Sequence, residues 1–398
     1  MKKKVMILGA SYSQIPLYKA ARRLGIETIA ASIPGPYSGF NYADRVCYVD
    51  IADPEAVTKA AKEYQVDGIA TCSLDLGMRS IGAVCESMDL PGPGREAALR
   101  ASNKLEMKKA LCASGVQTAA YYNVSNEEQL EEALKHLSFP VIVKAVDLMG
   151  SRGIYRSNTP EEARENYKKT MEATSKNYCL VEEFIQGEIF GVEALIQNGE
   201  IVYMLPNNIE AFVGDTPTPV GHSVPFKDLK RLGKQAMEQA ERAIYALGLD
   251  NCPVNCDMIK KDDKVYVIEL TGRSGATGIA EMVGIYYQLD YYEVILETAL
   301  GIPVAEKFKR KVPGIPNLTH TLMADRAGIV RQVINENPDA DEIIELSFNI
   351  EPGDLVRAYQ NGRDRIGQVI LKGKTLEDCE NRLEQILSRI RLILEDEE

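Results

Sequence analysis

The sequence predicts an α/β protein. A doubly wound parallel sheet comes first, followed by an α+β half built on longer antiparallel strands. Three observations carry this. Strand-like and helix-like segments alternate through the first ninety residues, the pattern of a parallel sheet. Two apolar runs after residue 250 flank a short charged turn, "KDDK", as in a hairpin. A chain of 398 residues with 45% hydrophobic side chains also has ample core for two to three domains.

The elements follow in order. "VMIL" reads as the first strand, "PLYKAARRLG" as a helix ending at Gly25, and "ETIAAS" and "RVCYVD" as further strands. "PEAVTKAAKEY" is a helix with Pro54 in its first turn, and "DGIATC" a strand. "LPGPG" at 90–94 punctuates the end of this unit. A helix "KLEMKKALCASG" runs from Asn103 to Gly115. "FPVIVKAV" and "GIYR" are strands about the loop "MGSRG". Next, "TPEEARENYKKTMEA" is a helix with Thr159 as N-cap, Pro160 at its first position and Glu162 closing a capping box. "NYCLVEEFI" is a strand, "EIFGVEALIQNGEIVYML" two or three more, and "KDLKRLGKQAMEQAERAIYALG" a helix. The hairpin "PVNCDMIKKDDKVYVIEL" follows. The last ninety residues hold short strands and a final amphipathic helix, "LEDCENRLEQILSRIRLIL". "PVGHSVPF", around His222, reads as a Pro/Gly-rich loop.

Composition narrows the function. A net charge of −12 argues against a general nucleic-acid binder, which needs a basic face. No apolar stretch approaches the ~20 residues of a membrane span, and no signal peptide is read at the N-terminus. Eight scattered cysteines suggest reduced thiols in the cytoplasm rather than a disulfide framework. Three histidines supply a histidine-rich metal centre poorly.

Several residues carry chemistry. "MILGASYSQIP" opens like a dinucleotide-binding unit, but Ser11 and Ser13 stand where its second and third glycines belong. Lys144 ends an apolar strand just before Gly150 and Gly153. A buried lysine calls for an anion, and a glycine-bearing loop offers backbone N–H groups to phosphate. A snorkelling lysine before a hairpin turn would look the same. Glu182-Glu183-Phe184-Ile185 follow a strand and could hold the edge of an adenine, or simply end the strand. Asp257 and Glu269 lie at matching distances on either side of the "KDDK" turn, so they can share one face of the hairpin. Two carboxylates on a buried face repel unless a cation such as phosphate-bound Mg2+ lies between them. Arg273, in "TGRSGATG", offers a fork of donors to phosphate or carboxylate. A solvated hairpin edge is the plainer reading of these strands.

The order of these motifs resembles the ATP-grasp superfamily over essentially the whole chain, in particular its carboxylate–amine ligases and its phosphoribosylglycinamide synthetase-like and biotin carboxylase-like members. The resemblance implies a pre-ATP-grasp Rossmann-like domain at 1–95, an ATP-grasp domain at 96–305 with a lid at about 121–185, and a small C-terminal domain at 306–398. It implies ATP and Mg2+ as cofactors, with Mn2+ as a substitute ion. Lys104 and Lys144 would contact the α- and β-phosphates. Met149, Gly150, Ser151, Arg152 and Gly153 would close over the β- and γ-phosphates. The Glu183 carbonyl and Ile185 N–H would hold adenine, flanked by Glu182 and Phe184. Asp257 and Glu269 would bind the metal, and Arg273 would steady the transferred phosphate or the acyl phosphate. "GASYSQIP" would line the substrate side rather than hold nucleotide.

Two departures from the family pattern matter. Ile189 occupies the usual place of a ribose-binding glutamate, leaving Glu188 as the substitute. Thr271 stands where an asparagine normally completes the metal site. Substrate contacts fall to Gln14, Asp75, His222 and Arg273. The implied reaction is ATP-dependent phosphorylation of a carboxylate to an acyl phosphate, then coupling to an amine. Small-molecule carboxylate and amine substrates are the implied partners, with a homodimer as the assembly and neither nucleic acid nor membrane. A bicarbonate-using carboxylase-type enzyme and a non-catalytic ATP-binding protein are the alternatives. A dehydrogenase is disfavoured by the broken glycine motif.

Overall fold

The computed structural model describes residues 2–148, 153–213, 217–309 and 313–395. The first sheet contains β1 (Lys4–Leu8), β2 (Glu27–Ser32), β3 (Arg45–Tyr48) and β4 (Gly68–Ala70). Its order is β3-β2-β1-β4, with every pair parallel. β1 is buried on both faces, which is why it reads as an unbroken apolar run. The helix Pro54–Tyr64 begins as its sequence predicts: Asp53 caps the N–H groups of Glu55 and Ala56. Two helices unread in the sequence, Met78–Met88 and Arg95–Ser102, flank the "LPGPG" turn.

A second sheet contains β5 (Tyr121–Val124), β6 (Val141–Lys144), β7 (Ile154–Ser157) and β8 (Cys179–Glu183) in the order β5-β8-β6-β7, all antiparallel. Helices Glu127–His136 and Pro160–Ala173 close a small core with it, around Val124, Leu130, Val141 and Val181. The Thr159 cap forms, accepting from the Glu162 N–H at 3.2 Å. The expected capping box does not close on Thr159, because the Glu162 carboxylate reaches past it to the Asn158 N–H at 2.7 Å.

The remaining strands are β9 (Glu188–Gln197), β10 (Glu200–Val213), β11 (Pro217–Val224), β12 (Cys252–Lys261), β13 (Lys264–Thr271), β14 (Asn317–Met323), β15 (Gly328–Asn335), β16 (Ile343–Phe348), β17 (Leu355–Val356), β18 (Arg365–Lys372) and β19 (Ile390–Glu395). Eight of them form one sheet, β13-β12-β9-β10-β11-β14-β18-β16, and β17-β15-β19 form a small one. The helix Leu229–Leu247 buries Leu232, Ala236, Ala240, Ala243 and Leu247 against Phe190, Val192, Val254 and Met258 on one face of the large sheet. The opposite face packs Leu195, Tyr203 and Leu205 against the first unit and helices Ile279–Tyr287 and Tyr291–Ala299.

Two further expectations are corrected. The final helix stops at Ser388, and Ile390, Leu392 and Leu394 alternate along β19, paired with β15. Their period of two suits a strand rather than a helix. The segment around His222 is strand β11, not a loop. Its pairing with β10 contains a bulge between Glu210 and Ala211, opposite Pro219, and a bulge is where a sheet tolerates proline. The eight cysteines are unpaired. Among the described residues no helix is long and apolar enough to cross a membrane.

Candidate active site

Side chains from three elements come together at the hairpin carboxylates. The first is the hairpin β12–β13, in which Asp257 and Glu269 are direct Cα partners, as the sequence spacing predicts. A register shift falls immediately after Asp257, so a bulge adjoins the pair. The expectation of a buried face needs correction, since the Glu269 side chain is 42% exposed. Burial and the neighbouring Glu269 charge push the Asp257 carboxyl up to about 7. Glu269 is held below the usual carboxylate range, chiefly by the Lys104 ammonium 3.3 Å away.

The second element is the helix Lys104–Ala113. Asn103 caps it, accepting from the N–H groups of Leu105 and Glu106, and thereby places Lys104 in its first turn. Lys104 Nζ also donates to the Leu148 carbonyl at 3.0 Å. The third is the end of β6, where Lys144 is buried. Its anion is a protein group: Nζ lies 2.8 Å from Glu182 Oε2 on β8. Met149, Gly150, Ser151 and Arg152 lie outside the described residues. Gly153 adopts φ +63°, and its carbonyl accepts from Ala145 N at 2.8 Å. A Cβ there would press on Leu148 and Ala145 at about 3 Å, so glycine suits both the backbone and the space.

Arg273 follows β13 in the loop that joins the sheet to the first unit. Its guanidinium grips Asp75 through two bonds of 2.7 and 2.6 Å, and donates to the Ser274 carbonyl and, at 3.4 Å, to Asn255 Oδ1. Burial opposes the charge on Asp75, but Arg273 outweighs it and holds the carboxyl below its ordinary range. Glu193 is fully buried on β9 and accepts from the Gly275 N–H at 3.3 Å. A Cβ on Gly275 would displace the tip of the Ile279 side chain and crowd Asn255 and Glu193 at 3.2 Å, so glycine eases this approach.

A solved structure of phosphoribosylglycinamide synthetase from Anaerococcus prevotii is 38% identical, covers 99% of this chain and 100% of its own, and superposes with a TM-score of 0.85. The chain belongs to the ATP-grasp ligases. The family description "phosphoribosylglycinamide synthetase, ATP-grasp (A) domain" matches residues 102–220 of this ATP-grasp ligase, and "L-amino acid ligase C-terminal domain 2" matches 320–395. Formate-dependent phosphoribosylglycinamide formyltransferase from Methanocella arvoryzae is 22% identical over 99% of this chain and 93% of its own. The L-amino acid ligase structure from Bacillus licheniformis, 19% identical, shares the fold over 99% of both chains with a TM-score of 0.85. The protein is an ATP-dependent, C–N bond-forming carboxylate–amine ligase. Use of ATP with Mg2+ is a general feature of this family.

The hairpin carboxylates, Lys104 and Arg273 with Asp75 are neighbours in this ATP-grasp ligase: Lys104 lies 3.3 Å from Glu269, and the Arg273 and Asp75 charges both act on the Asp257 carboxyl. Other sequence-predicted residues have other company. Gln14 is buried and committed to its own fold: it donates to the Cys72 carbonyl at 2.8 Å and accepts from the Ser11 N–H and hydroxyl. Glu188 is exposed and paired with Lys260 at 2.9 Å. Phe184 stacks under the Arg156 guanidinium at 4.5 Å, and Ile185 is buried. The Phe184 N–H donates to the Pro140 carbonyl, and the Glu183 N–H to Ala120.

Sequence reasoning missed Asn255, Lys108 and Arg365. Asn255 is the register partner of both Thr271 and Glu193. It lies two residues before Asp257 on the same face, so strand alternation carried the signal. Arg365, on β18, stacks on the Tyr12 ring of "GASYSQIP" at 4.7 Å and leaves its buried Nε without a hydrogen-bond partner.

His222 is buried beside Asn207 Oδ1, 3.3 Å from its Nδ1, and burial pushes its pKa down to about 4. The folded state therefore keeps His222 neutral while the unfolded chain protonates near 6.5, so its contribution is complete above that pH and lost as pH falls toward 4. Urea unfolding at pH 7 and pH 4.5 should show His222→Gln losing about 2–3 kcal/mol less than the parent over that interval. Equal acid sensitivity in the two proteins would exclude His222 as a source.

Proposed function

We propose that this ligase activates a small carboxylate, with amino acids the first class to test, and couples it to a small amine in the cleft between the second sheet and the hairpin β12–β13. The facing pair Asp257 and Glu269, with Lys104 between hairpin and helix, is the observation that carries the reading. The pair fits a divalent ion. Burial first, and then the Glu269 charge, raise the Asp257 carboxyl to about 7, and an ion between the two would relieve their mutual repulsion. Among the described residues no group of three or more His, Cys, Asp or Glu forms an ion site. A pair of carboxylates suits Mg2+, which keeps few protein carboxylates and fills its shell with phosphate oxygens and water. Bound there, the ion would neutralise phosphate charge.

The protein residues then have distinct tasks. Lys144 and Lys104 would hold phosphate oxygens, Lys104 exchanging Glu269 for phosphate, and Asp257 and Glu269 would hold the ion. Glu182 Oε1, buried and without a hydrogen-bond partner, offers an acceptor to the amino group of adenine. Arg273 orients the acyl phosphate. In the first step a carboxylate oxygen bonds to the γ-phosphorus and ADP leaves. In the second, the amine nitrogen bonds to the acyl carbon, phosphate leaves and the amine loses its proton. Arg365 and Tyr12 would receive an anionic part of one substrate from the opposite wall. The catalysis is positioning and charge stabilisation, with no protein nucleophile. A cytoplasmic setting fits the unpaired cysteines. A homodimer is carried over from the family resemblance alone.

ADP release across pairs of amino acids, other small carboxylates and amines tests this reading. With the right carboxylate, and hydroxylamine in place of the amine, hydroxamate should accumulate in step with ADP. ADP without hydroxamate for every carboxylate, but dependent on bicarbonate, would replace the reading with carboxyphosphate chemistry.

A further inference from the structure

Lys108 has no part in the scheme above, yet it is among the most buried charges in the protein, 2% exposed. It lies one turn after Lys104 on the same helix. Its Nζ meets Thr118 Oγ1 at 2.6 Å, the Ala119 carbonyl at 3.4 Å and Glu182 Oε2 at 3.4 Å. That same carboxylate oxygen takes Lys144 Nζ at 2.8 Å. Two buried ammonium groups thus share one oxygen of one carboxylate. Among the described residues neither lysine makes a second ion pair, and Lys144 acts on Glu269 only from beyond that distance, so two ammonium groups face one carboxylate. The Thr118 hydroxyl donates to the Val267 carbonyl at 2.7 Å, two residues before Glu269. The cluster therefore links the second sheet to the strand that bears the hairpin carboxylates.

A closed pair of Lys144 and Glu182 would be neutral, and a phosphate would have to compete with the carboxylate. The second ammonium changes this. It occupies part of the charge of Glu182, and the buried surplus is relieved only when another anion arrives. Building on the reading of Lys144 as a phosphate contact, we propose that Lys108 is a positioning residue for the nucleotide: it shares Glu182 so that Lys144 remains under-neutralised and ready for phosphate. The plainer role would be to tie the helix to the 117–119 turn.

Calorimetric binding of ATP, ADP and adenosine separates the two. Lys108→Met keeps the apolar stem and removes the charge. It should weaken ATP and ADP at least tenfold and adenosine less than twofold, with KM for ATP raised and kcat at saturation nearly unchanged. Lys108→Arg should restore the preference for phosphorylated nucleotides. A purely structural tie would weaken all three ligands together, and that result would overturn the proposal. Should Lys108→Met fail to fold, the comparison moves to a Glu182→Gln background, where both lysines have lost the shared charge. There, adding Lys108→Met should leave the ratio of ATP to adenosine affinity unchanged, and a further tenfold fall in that ratio would overturn the proposal. Lys144→Ala distinguishes the failures. If it too leaves ATP affinity intact, the phosphate reading of Lys144 is wrong. If it alone weakens ATP, only the role of Lys108 falls.

Discussion

Glu269→Gln is expected to lower turnover by ~10²–10³-fold while leaving the fold intact, a loss comparable to deleting a group that faces developing charge in an enclosed site. Glutamine preserves the shape of the side chain on β13 and removes its charge. In the free protein that charge meets Lys104 at 3.3 Å with 42% of the glutamate side chain exposed, and a pair so hydrated contributes only ~0–1 kcal/mol. Unfolding should therefore move little. The demand for metal should move a great deal, because Asp257 is left as the only hairpin carboxylate in register to hold an ion. Removing the negative neighbour also lowers the Asp257 pKa, since Glu269 is the main cause of its elevation after burial. ADP release titrated against Mg2+ reads both effects: a lower plateau and a higher half-maximal concentration. A wild-type rate at limiting Mg2+ would remove the pair from the mechanism.

The pairing of Asp257 with Glu269 was legible because it is local. A hairpin with a short turn fixes its own register, so counting outward from "KDDK" identifies partners. The parallel sheet was legible for a similar reason: β1, β2 and β4 are short apolar runs separated by helices with recognisable caps. What escaped was mostly non-local. Lys108 looks like any helix-surface lysine until β8 brings Glu182, 74 residues later in sequence, against it. Burial at the end of an apolar strand marks Lys144 as a lysine that calls for an anion, but nothing local to β6 says that a carboxylate from β8 is the one it has. Strand β11 was hidden by Pro217, Pro219 and Gly221, which mark loops by local preference. The bulge opposite Pro219 accommodates that proline, and Gly221 leaves room for Glu210 and His320 to meet across the sheet at 3.0 Å.

Arg273 offers a sharper division between folding and chemistry. Its fork is closed on Asp75, with the arginine side chain 10% and the aspartate 28% exposed. Arg273→Met should destabilise the protein by about 2–3 kcal/mol, because it strands the Asp75 carboxylate in a poorly hydrated site. Asp75→Asn should cost less, since Arg273 keeps the Ser274 carbonyl and the Asn255 amide oxygen as acceptors. The double variant removes both charges at once. Its stability should return to within ~1 kcal/mol of the parent, as neutral replacements of buried ion pairs commonly do. The loop itself retains two other ties to the first unit: the Ser73 N–H donates to the Ser274 carbonyl at 3.2 Å, and the Ser73 hydroxyl to that of Gly275 at 3.3 Å. Turnover should follow a different course. If Arg273 meets the acyl phosphate, the single and double variants should both stay ~10²–10³-fold below the parent, because restored stability returns no donor to the reacting group. Urea unfolding and hydroxamate formation, measured on the same preparations, place each variant on the two scales. Activity that recovers in step with stability would make Arg273 a clamp between the first unit and the large sheet, and would move the search for the donor to Lys104 and Lys144.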